Sequence, residues 1–155
     1  MSEIVREELS YDVVIVGAGP AGLSTAIKLK QLNTELSVCI LEKSSEVGAH
    51  ILSGNVFETK ALDELIPNWK DLDSPIKTDV RSEDFLFYTN NKSIKIPNFL
   101  LPKALQNHGN YIISLSNLCK WLGEFAENLG VGKISTPKFS ANSPNHLQRF
   151  DKLIM

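Results

Sequence analysis

Short apolar runs alternate with amphipathic stretches in the first third of the chain. Residues 12–16 read Asp-Val-Val-Ile-Val, and residues 36–41 read Leu-Ser-Val-Cys-Ile-Leu. Such runs, rich in β-branched residues, predict strands buried on both faces of a parallel sheet. Between them, residues 20–32 carry apolar side chains at helical spacing, with Lys28, Lys30 and Gln31 on the polar side. The pattern predicts a strand, a helix and a second strand.

Two further helices and one strand are predicted later in the chain. Residues 57–69 predict a short helix, and residues 111–113 predict a strand. Residues 116–130 carry apolar and aromatic side chains at helical spacing and end at Gly130, which predicts an amphipathic helix stopped by that glycine. The polar stretch 71–84 between these elements is predicted to be connection.

A hairpin is predicted at about residues 85–97. Two β-prone runs flank Asn90 and Asn91, and asparagine tolerates the positive φ that tight hairpin turns require. Residues 98–103 then form an irregular apolar patch ringed by polar and basic residues. Such a patch either covers the core of its own domain or touches another apolar phase, including a membrane interface. The sequence alone favours the first interpretation.

A glycine-rich turn joins the first predicted strand to the first helix. It reads Gly17-Ala18-Gly19-Pro20-Ala21-Gly22, a G-x-G-x-x-G match in the context that makes this motif informative. Gly17 permits the tight turn, Gly19 lets a pyrophosphate approach the backbone, and Gly22 lets the helix pack on the strand. Glu42 follows Gly22 by 20 residues, the spacing of an acid that meets the ribose of an adenosine half and repels a 2′-phosphate. The alternative for Glu42 is a solvated acid at the end of a strand.

Composition narrows the class of protein. The chain has 155 residues, a length that suits one domain, and its formal net charge of -2 gives no electrostatic case for nucleic acid. Its two cysteines, Cys39 and Cys119, lie in apolar patterns without metal-ligand spacing, which predicts buried reduced thiols and no metal site. Residues 1–10 carry three acids and lack an apolar stretch, which predicts neither a secretory signal nor an Arg-rich transit peptide. A cytoplasmic bacterial protein is expected.

The loop after Glu42 contains a second candidate group of residues. Residues 43–54 include Gly48, Gly54 and a Ser-Gly pair, so the backbone there can approach a ligand closely. His50 in this loop is a candidate acid or base, but no partner carboxylate or nucleophile is evident. A loop histidine that hydrogen-bonds backbone is therefore favoured.

Four stretches together resemble one family over residues 11–131. They are residues 14–24, Leu41-Glu42-Lys43, residues 48–54 (Gly-Ala-His-Ile-Leu-Ser-Gly) and residues 107–115 (Asn-His-Gly-Asn-Tyr-Ile-Ile-Ser-Leu). The first is shared by many FAD enzymes, whereas the last two are more specific. They resemble the N-terminal part of the electron-transfer flavoprotein:ubiquinone oxidoreductases, within the wider geranylgeranyl-reductase-like flavoproteins.

The resemblance implies an α/β, Rossmann-like FAD/NAD(P)-binding fold, incomplete here and interrupted by the hairpin. It also implies an oxidoreductase that passes electrons from reduced electron-transfer flavoprotein to ubiquinone. The implied location is peripheral, at the cytoplasmic side of a bacterial inner membrane, with residues 85–101 dipping toward the bilayer. The implied FAD-binding residues are Gly17, Ala18, Gly19, Pro20, Ala21, Gly22, Glu42 and Lys43, with Gly48, Ser53 and Gly54 beside the flavin. No catalytic side chain is nominated, because the flavin supplies the chemistry.

The chain also departs from this family. Family members are several times longer and carry a 4Fe-4S cluster, whose four cysteine ligands are absent here. Residues 1–10 are interpreted as an extension, and residues 132–155 as an irregular tail outside the family pattern. These departures favour a truncated or frameshifted chain that is inactive alone. A geranylgeranyl-reductase-type flavoenzyme and a noncatalytic dinucleotide-binding module remain the alternatives.

Overall fold

A computed structural model of the chain describes residues 9–135, without the side chains of residues 134 and 135. Most of the predicted extension and residues 136–155 of the predicted tail lie outside that range. The strands are β1 (Val13–Val16), β2 (Val38–Glu42), β3 (Ser53–Phe57), β4 (Thr78–Asp79), β5 (Phe85–Tyr88), β6 (Ser93–Ile96), β7 (Tyr111–Ser114) and β8 (Gly132–Ser135). The helices are α1 (Pro20–Leu32), α2 (Lys60–Leu65) and α3 (Leu115–Asn128), with 3₁₀ turns at Asn98–Leu100 and Lys103–Leu105.

The chain divides into two compact units. The first contains the residues up to Ile51 and those from Cys119 onward, and the second is Leu52–Leu118. The first unit holds a parallel sheet in the order β1-β2-β8, in which Val13 lies opposite Val38 and Cys39 lies opposite Gly132. The interpretation of residues 132–135 as irregular is therefore wrong. Gly-Lys-Ile-Ser has little strand pattern of its own and becomes a strand by pairing with β2.

The two predicted strands of this sheet differ in burial. Val38, Cys39 and Ile40 of β2 are each at most 2% exposed, as expected for a strand with neighbours on both sides. Val16 of β1 is 72% exposed, because among the described residues β1 pairs with β2 alone and lies at the edge of the sheet. Burial on both faces was the right prediction for β2 and the wrong one for β1.

Helix α1 has the bounds that its sequence predicts. It buries Leu23, Ala26 and Ile27. Lys30 is not directed to water as predicted: it is buried, and its Nζ donates hydrogen bonds to the backbone carbonyls of Thr34 and Leu36. The lysine therefore ties the end of α1 to the loop that leads into β2.

Helix α3 ends in a Schellman motif. Gly130 has a φ of +83°, its N–H bonds the carbonyl of Glu127 at 2.9 Å, and the Val131 N–H bonds the carbonyl of Ala126 at 3.1 Å. Both bonds satisfy carbonyls that the helix end leaves unpaired, and glycine adopts this φ without steric cost. The predicted stop at Gly130 is confirmed, and it turns the chain directly into β8.

The second unit is built on an antiparallel sheet in the order β3-β7-β4. Strand β7 was predicted, but β3 and β4 were not: residues 53–54 were predicted as loop, Phe57 as the start of a helix, and residues 78–79 as connection. Helix α2 is accordingly shorter than the predicted 57–69. Trp69, beyond this helix, is 2% exposed, and its Nε1–H donates a hydrogen bond to the carboxylate of Asp63 in α2 at 2.7 Å. Its ring contacts that of Tyr111 edge to face, with 5.8 Å between the ring centroids.

The predicted hairpin forms, but not for the predicted reason. Strands β5 and β6 are joined through Thr89, whose N–H and hydroxyl both donate to the carbonyl of Lys92. No residue other than glycine has a positive φ in the described part of the chain, so the turn does not use the left-handed tolerance of Asn90 and Asn91. Longer hairpin loops avoid positive φ by building on a type I turn.

The apolar patch beyond the hairpin does not cover the core. Phe99 is 81% exposed and Leu100 is 64% exposed. The interpretation favoured from the sequence alone, that residues 98–103 cover the core of their own domain, is therefore wrong within residues 9–135.

Candidate functional site

The glycine turn leaves β1 at Gly17. Gly17 has a φ of +101°, a conformation that L side chains rarely adopt, and its N–H bonds the carbonyl of Leu41 at 2.8 Å. This bond ties the turn to the end of β2, where Glu42 stands. The tight-turn role predicted for Gly17 therefore has a conformational basis.

Gly22 is fixed by close packing. A Cβ built on Gly22 would lie 2.1 Å from the carbonyl oxygen of Gly17 and 3.2 Å from the Cγ2 of Ile15. The first distance is well inside van der Waals contact, and the atom that it meets belongs to backbone. Gly22 thus lets α1 lie against the strand and turn that precede it, as its place in the motif predicts.

The space around Gly17 and Gly19 is open. A Cβ on either residue would meet nothing within 4 Å. Gly19 is the N-cap of α1 with no side-chain capping bond, Pro20 occupies the first turn, and that turn has no acidic residue. The positive end of the helix dipole therefore meets no carboxylate within its own first turn. Open glycine backbone at a helix start suits a phosphate or diphosphate group.

The carboxylate of Glu42 is anchored beside this turn. Its Oε2 accepts the Ala18 N–H at 2.7 Å, and its Oε1 accepts the N–H and the hydroxyl of Ser44 at 2.9 and 2.6 Å. Burial raises the pKa of Glu42, but hydrogen bonds from Ser44, Ala18 and the Lys43 backbone outweigh burial and hold that pKa below its ordinary value. Glu42 is thus a partly buried, ionised group and not a solvated strand end.

Ser44 is the residue of this site that sequence reasoning missed. It is 8% exposed, and its hydroxyl and N–H both bond the same oxygen of Glu42. Local bonds to the N–H two residues further on are typical of aspartate and asparagine side chains, and with glutamate at position 42 the sequence carried no clear signal for Ser44. Lys43, between them, is exposed.

The other predicted residues fall in two different units. Gly48 is buried in the first unit with a φ of +82°, and the nearby His50 is exposed. Ser53 and Gly54 belong to the second unit. There Gly54 has a φ of +82° at a bulge where the register of β3 against β7 shifts. The left-handed backbone at both glycines accounts for their residue type. A role for these residues beside a flavin stays a prediction.

The described residues bring together no group of three or more metal-ligating side chains. Cys39 and Cys119 are both buried free thiols. Burial raises the pKa of Cys119 to about 11 and also raises the pKa of Cys39. Four thiolate ligands would be needed for a 4Fe-4S cluster, and the whole chain has two cysteines, so its residues do not fit that group.

Comparison with known proteins gives one family and a set of longer relatives. The model of the Thi4 family matches residues 1–115. The electron transfer flavoprotein-ubiquinone oxidoreductase of Pseudomonas aeruginosa is 56% identical over 131 residues, which are 81% of this chain and 24% of the relative. The mitochondrial protein of that name from Oryza sativa subsp. japonica is 58% identical over 130 residues, 81% of this chain and 22% of the relative. The chain thus spans about a quarter of the length of these relatives.

Solved structures agree on the fold. A geranylgeranyl bacteriochlorophyll reductase-like protein from Thermoplasma acidophilum superposes with a TM-score of 0.56 at 22% identity, covering 81% of this chain and 30% of that one. The Y270F mutant of MHPCO superposes with a TM-score of 0.55 at 27% identity, covering 82% and 32%. The chain therefore has the Rossmann-like fold of FAD-dependent oxidoreductases, as the family resemblance implies.

Proposed function

We propose, from the premise that this chain belongs to the Thi4 family, that its glycine turn and Glu42 hold the adenosine diphosphate half of FAD. The observation that carries the proposal is the open turn over Gly17 and Gly19 with the anchored carboxylate of Glu42 beside it. The diphosphate would lie against the backbone N–H groups at the start of α1, where the helix dipole favours an anion.

Glu42 sets the preference among adenine dinucleotides. Its carboxylate is held at the end of β2 by Ala18 and Ser44, in the position where the ribose hydroxyls of an adenosine can donate to it. A 2′-phosphate would bring a second anion against this carboxylate. We therefore propose FAD as the cofactor and exclude NADP from this site.

The proposed reaction is electron transfer in an oxidoreductase of the type that the relatives are named for. Those names give electron transfer flavoprotein and ubiquinone as the partners. Bound FAD would supply the redox chemistry, and the residues of this chain would bind and orient it. Lys43, Gly48, Ser53 and Gly54 are proposed to contribute on the flavin side. Because these residues span about a quarter of the relatives, the 155-residue chain by itself is not expected to reduce ubiquinone.

Contact with the membrane is proposed through the hairpin and the patch after it, residues 85–101. Phe87, Tyr88 and Phe99 there are 57%, 70% and 81% exposed. None of the helices within residues 9–135 has the length and apolar character that a membrane span needs. Placement at the cytoplasmic side of a bacterial inner membrane stays a prediction.

The test compares FAD with ADP and 2′-deoxy-ADP, two ligands that differ from each other by one ribose hydroxyl. Wild type and Glu42→Gln are titrated with FAD, ADP and 2′-deoxy-ADP by isothermal calorimetry, with Glu124→Gln, an exposed acid on α3, as the matched control. A hydrogen bond to a charged group is worth about 1.5–3 kcal/mol, so loss of the 2′-hydroxyl should weaken binding to wild type about 10- to 100-fold. Glu42→Gln keeps an amide oxygen that accepts only a neutral hydrogen bond, so its penalty for 2′-deoxy-ADP should fall to about 2- to 10-fold, whereas Glu124→Gln should behave as wild type.

Two results would reject the proposal. One is the absence of FAD and ADP binding by a chain that unfolds cooperatively. The other is an equal penalty for 2′-deoxy-ADP in wild type and Glu42→Gln, which would remove Glu42 from the ribose site. A colourless, folded chain that binds ADP but not FAD would favour the noncatalytic nucleotide-binding module.

A further inference from the structure

The hairpin surface, residues 85–105, comprises β5, β6 and the two 3₁₀ turns and is open to solvent on both faces. All four side chains of β5 are exposed, and Ile94 of β6 is 57% exposed. Among the described residues, β5 and β6 pair with each other alone. An isolated two-stranded sheet is only marginally stable in water. A surface that exposes this many large apolar side chains indicates a binding partner.

The charge of this surface is opposite to that of the rest of the chain. Residues 85–105 contain Lys92, Lys95 and Lys103 and no acidic residue, giving +3, whereas the whole chain carries a formal charge of -2. The remaining residues therefore carry -5. Lys95 pairs with Asp84 at 2.6 Å, but Lys92 and Lys103 have no ion pair within residues 9–135. Two unneutralised cations flank the exposed apolar side chains.

We infer that the hairpin surface binds bilayers that contain anionic lipids, with Lys92 and Lys103 contacting the lipid phosphates. This inference rests on the membrane contact in the proposed function and adds the kind of lipid. Lysine stems lie along apolar surface while the ammonium groups stay at the headgroups, so the two lysines and the exposed aromatic side chains can engage one interface together. Each lysine near an anionic surface strengthens binding about fivefold.

A second copy of the chain is the less suitable occupant. Self-association through this surface would place two groups of three lysines against each other, with one lysine of each group neutralised by Asp84. Like charges brought together across an interface oppose association. An anionic bilayer offers both an apolar phase for Phe99 and Leu100 and the counter-charge for the lysines.

Vesicle co-sedimentation of the 155-residue chain tests the inference. Binding is compared for neutral phosphatidylcholine vesicles and for vesicles that also contain phosphatidylglycerol. The double variant Lys92→Gln/Lys103→Gln is set against Lys28→Gln/Lys60→Gln, which removes the same charge from exposed positions outside this surface. The first double variant should bind anionic vesicles about 25-fold more weakly than wild type, and the control should match wild type.

Salt dependence gives a second readout. Raising the ionic strength from about 0.1 M to about 1 M shortens the Debye length from about 10 Å to about 3 Å, and this should remove most of the difference between the two double variants. Equal binding of wild type to neutral and anionic vesicles would overturn the inference and leave the membrane contact standing. If a chain that still unfolds cooperatively binds neither kind of vesicle, both the inference and the membrane contact are rejected. A concentration-dependent dimer broken by Phe99→Ser would assign the surface to a second copy and also overturn the inference.

Discussion

Replacing Gly22 by alanine should destabilise the chain although the residue lies in a helix. In an exposed helix, alanine is about 1 kcal/mol better than glycine, so propensity alone predicts a gain. The new Cβ would lie 2.1 Å from the carbonyl oxygen of Gly17 and 3.2 Å from the side chain of Ile15. Overpacking typically costs about 1–3 kcal/mol and more where backbone must move, so the expected net loss is about 2 kcal/mol.

Gly123→Ala is the matched control. Gly123 also lies inside a helix, α3, but a Cβ there would make ordinary contacts with Val47 at 3.7 Å and Leu23 at 3.9 Å. This variant should therefore keep the propensity gain of about 1 kcal/mol. The two substitutions are chemically identical and should change stability in opposite directions.

Thermal unfolding followed by circular dichroism measures both variants. At about 3 °C per kcal/mol for a chain of this size, Gly22→Ala should lower Tm by about 6 °C and Gly123→Ala should raise it by about 3 °C. Gly22→Ala should also weaken FAD binding, because the carbonyl of Gly17 must shift to admit the methyl group. A Tm for Gly22→Ala at or above that of wild type would refute the packing described for the turn.

Three further predictions concern single side chains. Because the folded pKa of Glu42 is lowered, its contribution to stability is complete above its ordinary pKa of 4.5 and is lost as the pH falls through the folded value. Below pH 4.5 the free energy of unfolding in urea should therefore fall more steeply with pH in wild type than in Glu42→Gln, and an equal pH dependence in both would contradict this. Because burial raises the pKa of Cys119 to about 11 and also raises that of Cys39, neither thiol should react quickly with a disulfide reagent at neutral pH until the chain is denatured. Lys30→Met should lower the free energy of unfolding by about 2 kcal/mol, because the hydrogen bonds to the carbonyls of Thr34 and Leu36 are lost, whereas Lys28→Met, at an exposed position of α1, should be nearly neutral. Equal losses for the two variants in urea unfolding would contradict the structural role given to Lys30.

The turn and α1 could be predicted because their signals are local. Gly17, Gly19 and Gly22 stand at fixed offsets, and each meets a steric need within a few residues along the chain. The distance from Gly22 to Glu42 likewise follows from one helix and one strand. The structure adds what spacing does not show, that the Glu42 carboxylate is already anchored by Ala18 and Ser44.

The missed elements depend on partners far along the chain. Residues 53–57, Ser-Gly-Asn-Val-Phe, form a strand because they pair with β7, and residues 132–135 form one because they pair with β2. Neither segment has a strong strand pattern alone. Strand β1 was misjudged for a related reason: its composition suits full burial, but burial depends on a neighbour at its open edge.

The most direct test of the central claim is an NMR titration of the isotopically labelled chain with ADP, followed through its backbone amides. A diphosphate held by the glycine turn should shift the amide signals from Ala18 to Leu23 most strongly, and Glu42→Gln should weaken the apparent affinity without moving the centre of the shifts. ADP that shifts only amides elsewhere in the chain, or none in a folded sample, would contradict the assignment of this turn as the nucleotide site.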